Sequence, residues 1–271
     1  MTAPRFAAVG DNCVDRFLPP VGLSLIGGNA VNVAVQLARL GLDSAYLGAV
    51  GRDPDGFRTR GLMAENGVHV DHMQFRDAIT AYTEIESLPT GDRVFAFEEF
   101  GACRGYRPDE ADVAALLGMR HVHIGWLDDG GALRRRLTSA GVSVSQDVSV
   151  NATSDDLGVE GLAIAFASAG ENPGDAKGVA MDLLARGARL AVVTRGSLGS
   201  LATDGETFAE TGIREAQIVD TTGAGDSFIA GFIAAHAEGQ PLLGCLERGR
   251  DHAALTCAHV GGFPQEPQRF R

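Results

Sequence analysis

From Pro108 onward the sequence changes period in a regular rhythm. Pro108–Gly118 carries helical spacing, His121–Ile124 is a short strand-like run, Gly130–Ala140 is helical again and Val142–Asp147 is a second strand. Near-continuous apolar runs follow at Gly161–Ser168 and Leu190–Thr194. Upstream, Arg5–Gly10 and Ser44–Val50 read as strands on either side of a helix from Ala30 to Leu40 that Gly41 closes. Apolar strands alternating with helices predict an α/β fold, with a doubly wound central sheet flanked by helices. In such sheets ligands bind where strands end. Polar residues stand at those ends: Gly10-Asp11-Asn12 after the first strand and Asp147 after a later one. One pair of segments breaks the rhythm. Thr80–Ser87 and Arg93–Phe100 alternate in β fashion around Leu88-Pro89-Thr90-Gly91-Asp92, which predicts a hairpin inserted between α/β units.

Composition narrows the function. The chain has 271 residues and a net charge of −12, with 45% hydrophobic residues. That suits one large domain with an insertion, or two small ones, and a single domain over residues 1–271 is expected. The negative charge offers no basic patch for a nucleic-acid partner. No apolar run reaches the roughly 20 residues that span a bilayer. Met1-Thr2-Ala3-Pro4-Arg5 leads straight into a strand without a signal-peptide core, so a cytoplasmic protein is expected. Cys13, Cys103, Cys245 and Cys257 have no metal-ligand spacing and are expected to be buried thiols. His121 and His123 alternate on one strand, without partners at zinc spacing. There is no Gly-x-x-x-x-Gly-Lys-Ser/Thr sequence, and Gly-Asp-Asn after the first strand is not a dinucleotide fingerprint.

Chemistry concentrates in Val219-Asp220-Thr221-Thr222-Gly223-Ala224-Gly225-Asp226-Ser227-Phe228. Ile218 and Val219 read as a short strand, the glycines as a turn, and Phe228–Glu238 as a helix. The backbone N–H groups at a helix start attract anions. A carboxylate there repels a phosphate unless it has a task, and a general base beside an anion hole is such a task. An ordinary N-cap is the alternative. Asn29, Asn32 and Gln36 form a second signal, one polar stripe on the apolar helix that Gly27-Gly28 opens. Buried amides need partners, and a sugar's hydroxyls are suitable ones. An exposed polar face is the alternative for the stripe. Asp11 and Asp15, where the first strand stops, are ligand contacts or turn-capping aspartates.

Asp220-Thr221-Thr222-Gly223-Ala224-Gly225-Asp226-Ser227-Phe228 resembles the C-terminal signature of the ribokinase-like (PfkB-type) carbohydrate kinases. Gly27-Gly28-Asn29 resembles the family's N-terminal Gly-Gly signature, and Gly10 with Asp15 keeps the spacing of its Gly-x-x-x-x-Asp element. Gly51, Asp53 and Gly56 match a further element that reads as structural. The resemblance implies a ribokinase-like fold with a small β lid formed by about 12–26 and about 79–100, often a homodimer interface. It implies ATP-dependent phosphorylation of a hydroxyl, with Asp226 as base and the N–H groups of Gly223, Ala224 and Gly225 holding the phosphoryl group. Asp11, Asp15, Gly28, Asn29 and Asn32 would orient the acceptor. Thr194, Gly196 and Gly199, with Gly223 and Gly225, would hold ATP. Glu171 keeps its place in the family's Asn-x-x-Glu element although Ser168 replaces the Asn, and would hold Mg²⁺ through water. A solvent-facing loop glutamate is the alternative. Asp220 and Thr222 would bind a monovalent cation such as K⁺. Asp147 matches the family's Asp-x-Asn element only in part, since Ser149 stands third. The acceptor implied is the 6-hydroxyl of fructoselysine or a related fructosamine. Fructose, ribose, a nucleoside, or an idle sugar-binding sensor are the alternatives.

Overall fold

The computed structural model describes residues 5–87, 93–150, 153–170 and 175–270. In chain order the elements are β1 (Phe6–Val9), β2 (Cys13–Phe17), β3 (Leu23–Gly27), α1 (Asn29–Arg39), β4 (Ser44–Leu47), β5 (Ala49–Gly51), α2 (Pro54–Glu65) and β6 (Gln74–Arg76). There follow β7 (Tyr82–Ser87), β8 (Arg93–Glu99), α3 (Glu110–Leu117), β9 (His121–Ile124), α4 (Ala132–Ser139), β10 (Val144–Asp147), β11 (Ile164–Ser168) and α5 (Ala176–Ala185). The last are β12 (Ala191–Thr194), β13 (Ser200–Thr203), β14 (Phe208–Thr211), α6 (Ala224–Ala237), α7 (Leu242–Thr256) and β15 (Gln268–Arg269).

The main sheet has the order β14-β13-β12-β11-β10-β9-β1-β4. Strands β4, β1, β9, β10, β11 and β12 are parallel, and β13 and β14 are antiparallel additions. The sheet is therefore mixed. Short connections from β12 to β13 and from β13 to β14 leave no room for crossover helices, so these neighbours must run antiparallel. Strand order reverses at β1: the chain steps to β4 on one side and later to β9 on the other. That reversal opens a crevice at the carboxyl ends of β1 and β9.

One face of the sheet packs against α1, α6 and α7, and the other against α3, α4 and α5. Every residue of α1 from Asn29 to Leu37 is buried, as is every residue of α6 from Ser227 to Ala235. These two helices pack on each other, and α7 covers α6. Helices buried all round need apolar residues on every face, which explains the weak periodicity of α6. The helix starts follow local chemistry. Asp53 caps α2 by accepting from the Gly56 N–H, with Pro54 in the first turn. Asp109 and Asp112 form a capping box at α3.

A second sheet, β15-β3-β2-β7-β8, stands beside the carboxyl edge. Its β7 and β8 pair antiparallel, while the turn expected at 88–92 lies outside the described residues. Other expectations need correction. Ser44–Val50 is not one strand but β4 and β5, with β5 paired to β6 in a small separate sheet. Ile218 and Val219 form no strand: both are exposed, and Val219 donates its N–H to the Cys257 carbonyl at the end of α7. Helix α6 starts at Ala224 rather than Phe228, which brings Asp226 into its first turn.

Candidate active site

Helix α1 enters the site through a tight crossing. Gly28 has φ 102, and a Cβ there would lie 2.7 Å from the Asn12 Cα. Its bare Cα lets the chain before α1 pass over Asn12-Cys13. The next residue, Asn29, then donates its backbone N–H to Asp11 Oδ2 at 2.7 Å. Asp11 Oδ1 accepts from the N–H groups of Ala30 and Trp126. With no acid in its own first turn, α1 takes its N-terminal carboxylate from the end of β1. Burial pushes Asp11 up, against these three backbone donors.

Helix α6 approaches the same spot. Gly223 sits in the left-handed region at φ 74, and a Cβ there would meet the Gly262 Cα at 2.3 Å. The N–H of Ala224 donates to the Thr221 carbonyl and closes the turn. Of the three N–H groups expected to hold a phosphoryl group, that of Ala224 is therefore engaged in the turn. A Cβ on Gly225 would meet nothing within 4 Å, so the first turn of α6 faces open space on that side. Asp226, one residue on, turns its carboxylate to α1. Its Oδ1 accepts from Asn29 Nδ2 at 2.7 Å and its Oδ2 from Asn32 Nδ2 at 2.7 Å.

Asn29 also donates to Asp147 Oδ2 at 3.1 Å, at the carboxyl end of β10. The two asparagines expected on the acceptor side direct amide hydrogens to the Asp226 carboxylate. Gln36, third in the stripe, donates to the Gly262 carbonyl at 2.6 Å and braces the wall behind Gly223. Asp15, on β2, places Oδ2 3.2 Å from a Cβ built at Gly27, which would also lie within 4 Å of the Asn32 amide. Asp11, Asp15, Asp147 and Asp226 thus converge around the start of α1.

Their charges interact. Asp226 is pushed up to about 7, chiefly by burial, with the Asn32 and Asn29 donors opposing and Asp147 and Asp11 adding to the rise. Asp147 is pushed up to about 6, again mainly by burial. A carboxyl poised near neutrality suits a general base.

The other predicted residues lie further along the same edge. In register, Asp147 pairs with Phe166, and Ser168 with Thr194, so the edge runs from Asp11 past Asp147 to Thr194. Thr194 donates to the Ala167 carbonyl. Gly196 (φ 55) and Gly199 (φ 86) shape the turn from β12 to β13. At Gly199 the close neighbour is protein, since a Cβ would meet the Thr211 carbonyl at 2.0 Å. Asp220 Oδ1 accepts from the N–H and hydroxyl of Thr222, and Oδ2 from the Gly261 N–H at 2.9 Å. It ties together the two loops that flank Gly223. Glu171 lies outside the described residues. Among the described residues no cluster of three or more His, Cys, Asp or Glu could hold a metal.

Several residues of this site were not singled out from the sequence. Trp126 stacks on Phe100 at 4.4 Å and joins the acceptor edge to the second sheet. Gly125 is wedged beside Asp11 and Asn29, where a Cβ would come within 2.6 Å and 2.8 Å of their side-chain oxygens. Gly262 would likewise clash with Asn32. A glycine following a buried strand was the available signal for Gly125.

Known proteins resemble the chain along nearly its whole length. The chain is 34% identical over 259 residues to fructoselysine 6-kinase of Escherichia coli, covering 95% of this chain and 98% of that one. It is 31% identical over 265 residues to a fructosamine kinase of Bacillus subtilis, covering 96% and 93%. The ribokinase of Arabidopsis thaliana, solved with ribose and ATP, superposes with a TM-score of 0.83 at 23% identity, over 96% of this chain and 94% of that one. The sequence pattern of the pfkB family carbohydrate kinases matches residues 24–125 and 159–269, and the chain belongs to that family.

Proposed function

We propose that this carbohydrate kinase transfers the γ-phosphoryl group of ATP to the 6-hydroxyl of a fructosamine such as fructoselysine. The observation that carries the transfer is Asp226. Its carboxylate is held by two amides beside the open N-terminus of α6. In this reading Asp226 accepts the proton of the acceptor hydroxyl as the new O–P bond forms. The bond from the γ-phosphorus to the bridging oxygen breaks, and ADP leaves with that electron pair. The N–H groups of Gly223 and Gly225 meet the charge on the transferring oxygens. The turn at Thr194, Gly196 and Gly199 takes the nucleotide. Mg²⁺, carried on the ATP phosphates with Glu171 reaching it through water, would neutralise charge there. A monovalent cation such as K⁺ at Asp220 and Thr222 would stiffen the loop before Gly223.

Asp11 and Asp15 with Gly28, Asn29 and Asn32 form the acceptor side. The two relatives named for fructosamine substrates support a fructosamine acceptor. The second sheet acts as a lid over it. Its edge strand β8 exposes Val94, Phe95 and Phe97, with Phe95 77% exposed. An apolar strand edge of this kind invites pairing, which supports a homodimer through the lid. All four cysteines are free thiols, which suits a reducing cytoplasm.

A coupled ADP-release assay over fructoselysine, a second fructosamine, fructose, ribose and adenosine tests the assignment. Fastest turnover is expected with a fructosamine. A strong preference for ribose, fructose or adenosine overturns the acceptor while leaving the kinase.

A further inference from the structure

The polar row along β9 and β10 is not used by the transfer chemistry. His121 and His123 alternate with Val122 and Ile124, so both rings point to the face that α1 and α6 cover. Both are buried, and His123 is fully so. They join Ser143, Ser145 and Asn29 in one line. Ser143 Oγ lies 3.0 Å from His121 Nδ1, and His121 Nε2 lies 2.8 Å from Ser145 Oγ. Ser145 Oγ lies 2.9 Å from His123 Nδ1, and His123 Nε2 lies 3.1 Å from Asn29 Oδ1. Asn29 ends the line on Asp226 and Asp147.

The proton positions follow from that end. Ionised carboxylates only accept, so Asn29 must face them with Nδ2, and its Oδ1 must accept from His123. His123 therefore carries its proton on Nε2, and its Nδ1 accepts from the Ser145 hydroxyl. The Ser145 oxygen then accepts from His121 Nε2, and His121 Nδ1 accepts from Ser143. Burial pushes both rings down to about 3, so both are neutral and each has one donor and one acceptor to place. Every position in the line has one assignment. Asn32 differs: among the described residues its Oδ1 has no partner, so that amide is oriented by the Asp226 carboxylate alone.

We propose that His123 is a positioning residue for phosphoryl transfer. By holding Asn29 Oδ1 it keeps the Asn29 amide hydrogens on Asp226 and Asp147, and the row behind it fixes the tautomer that makes this possible. The proposal rests on Asp226 being the base. Without His123 the Asn29 amide can invert whenever Asp226 carries its proton, and its oxygen then accepts from that carboxyl and favours the protonated form. Asp226 then loses a donor, binds its proton more tightly and gains rotational freedom. The groups facing Asp226 are Asp147, Asp11 and the amides of Asn29 and Asn32. Those facing His123 are His121, Ser145, Asn29 and the edge of Phe166, with Arg120 and His236 beyond His121.

The test compares His123→Leu, His123→Gln, Ser145→Ala and Asp226→Asn in the full chain. Each is assayed with ATP and the acceptor that turns over fastest in the panel above. For His123→Leu, kcat is expected to fall about 10- to 100-fold. KM should change by less than about twofold, and the acid limb of the pH profile should rise by about one unit. His123→Gln, whose side-chain N–H can replace the ring donor, should recover kcat to within about threefold of wild type. Ser145→Ala should move the acid limb in the same direction as His123→Leu. A folded His123→Leu with wild-type kcat and acid limb overturns the proposal, and so does a folded His123→Gln no better than His123→Leu. Should His123→Leu fail to fold, Ser145→Ala decides, and an unmoved limb overturns it. Turnover retained in Asp226→Asn removes the base itself, whereas loss there with a wild-type His123→Leu removes only the positioning role.

Discussion

Replacing Asp226 by Asn should stabilise the fold even as it removes the base, and the gain should grow with pH. Asp226 is pushed up to about 7 from an ordinary 3.8. A carboxyl whose folded-state pKa exceeds its unfolded value binds its proton more tightly when folded. Its contribution is intact below about 3.8 and is lost as pH rises through about 7. At about 1.36 kcal/mol per unit, the ionised group costs at most about 4 kcal/mol above neutrality. Between pH 5 and pH 8 the change is about 2–3 kcal/mol. Asn at this position carries no such dependence. It fits the same contacts: its oxygen accepts from Asn29, whose orientation His123 holds, and its amide donates to Asn32 once that side chain inverts. Urea unfolding of both proteins at pH 5 and pH 8 measures the difference directly. The advantage of Asp226→Asn should widen by about 2–3 kcal/mol at the higher pH, or several degrees in Tm. A difference that does not change with pH, or a variant less stable than wild type at pH 8, refutes the reasoning.

The same charges make a kinetic prediction. Asp147→Asn removes a negative neighbour that raises Asp226, so the acid limb of kcat/KM should move down by about one pH unit. An unmoved or rising limb contradicts the coupling. Gly223 and Gly225 should separate folding from function. Gly223→Ala forces a left-handed Ala into the Gly262 backbone and should lose at least about 100-fold in kcat together with several degrees of Tm. Gly225→Ala projects into open space from a helix and should keep or raise Tm, up to about 1 kcal/mol, while activity falls because the methyl occupies the ligand's approach. Equal loss of Tm in both would show that Gly225 is needed for the fold.

Sequence and structure diverge where contacts are distant or partners absent. The βα rhythm was legible because strands buried on both faces are apolar throughout, as in β9 to β12 apart from the histidines and β10. Ile218-Val219 has strand propensity but bonds to the end of α7 instead, and propensity alone does not make a strand. The antiparallel β13–β14 pair did carry a local signal, Asp204-Gly205 between short alternating runs. Asn29 and Asn32 were rightly marked as an inward polar stripe, but their partner is 197 and 194 residues away and spacing cannot supply it. His121 and His123 were weighed against zinc spacing and set aside. The informative fact was their place in a central buried strand, where polar groups must find partners. Those partners, Ser143 and Ser145, stand on the next strand with the same alternation.

Two aspartates stand at two helix starts in this crevice, and their surroundings give them different work. Asp11 has both oxygens on backbone N–H groups, from Asn29, Ala30 and Trp126. Those donors cannot move without disturbing α1 or the loop after β9, so Asp11 serves first as the fastening that brings β1, β9 and α1 together. Asp226 belongs to its own helix, whose positive end favours ionisation. Its donors are two side-chain amides, one oriented by His123 and the other, among the described residues, with no donor to its own oxygen. Burial outweighs both donors and the result lies near 7, where the group is ionised often enough to act and basic enough to take a proton. Had Asp226 received three backbone donors, its proton affinity would have been lower and its usefulness as a base smaller. The polar stripe on α1 therefore decides the chemistry: it holds the carboxylate in place with side chains that can adjust as a proton arrives.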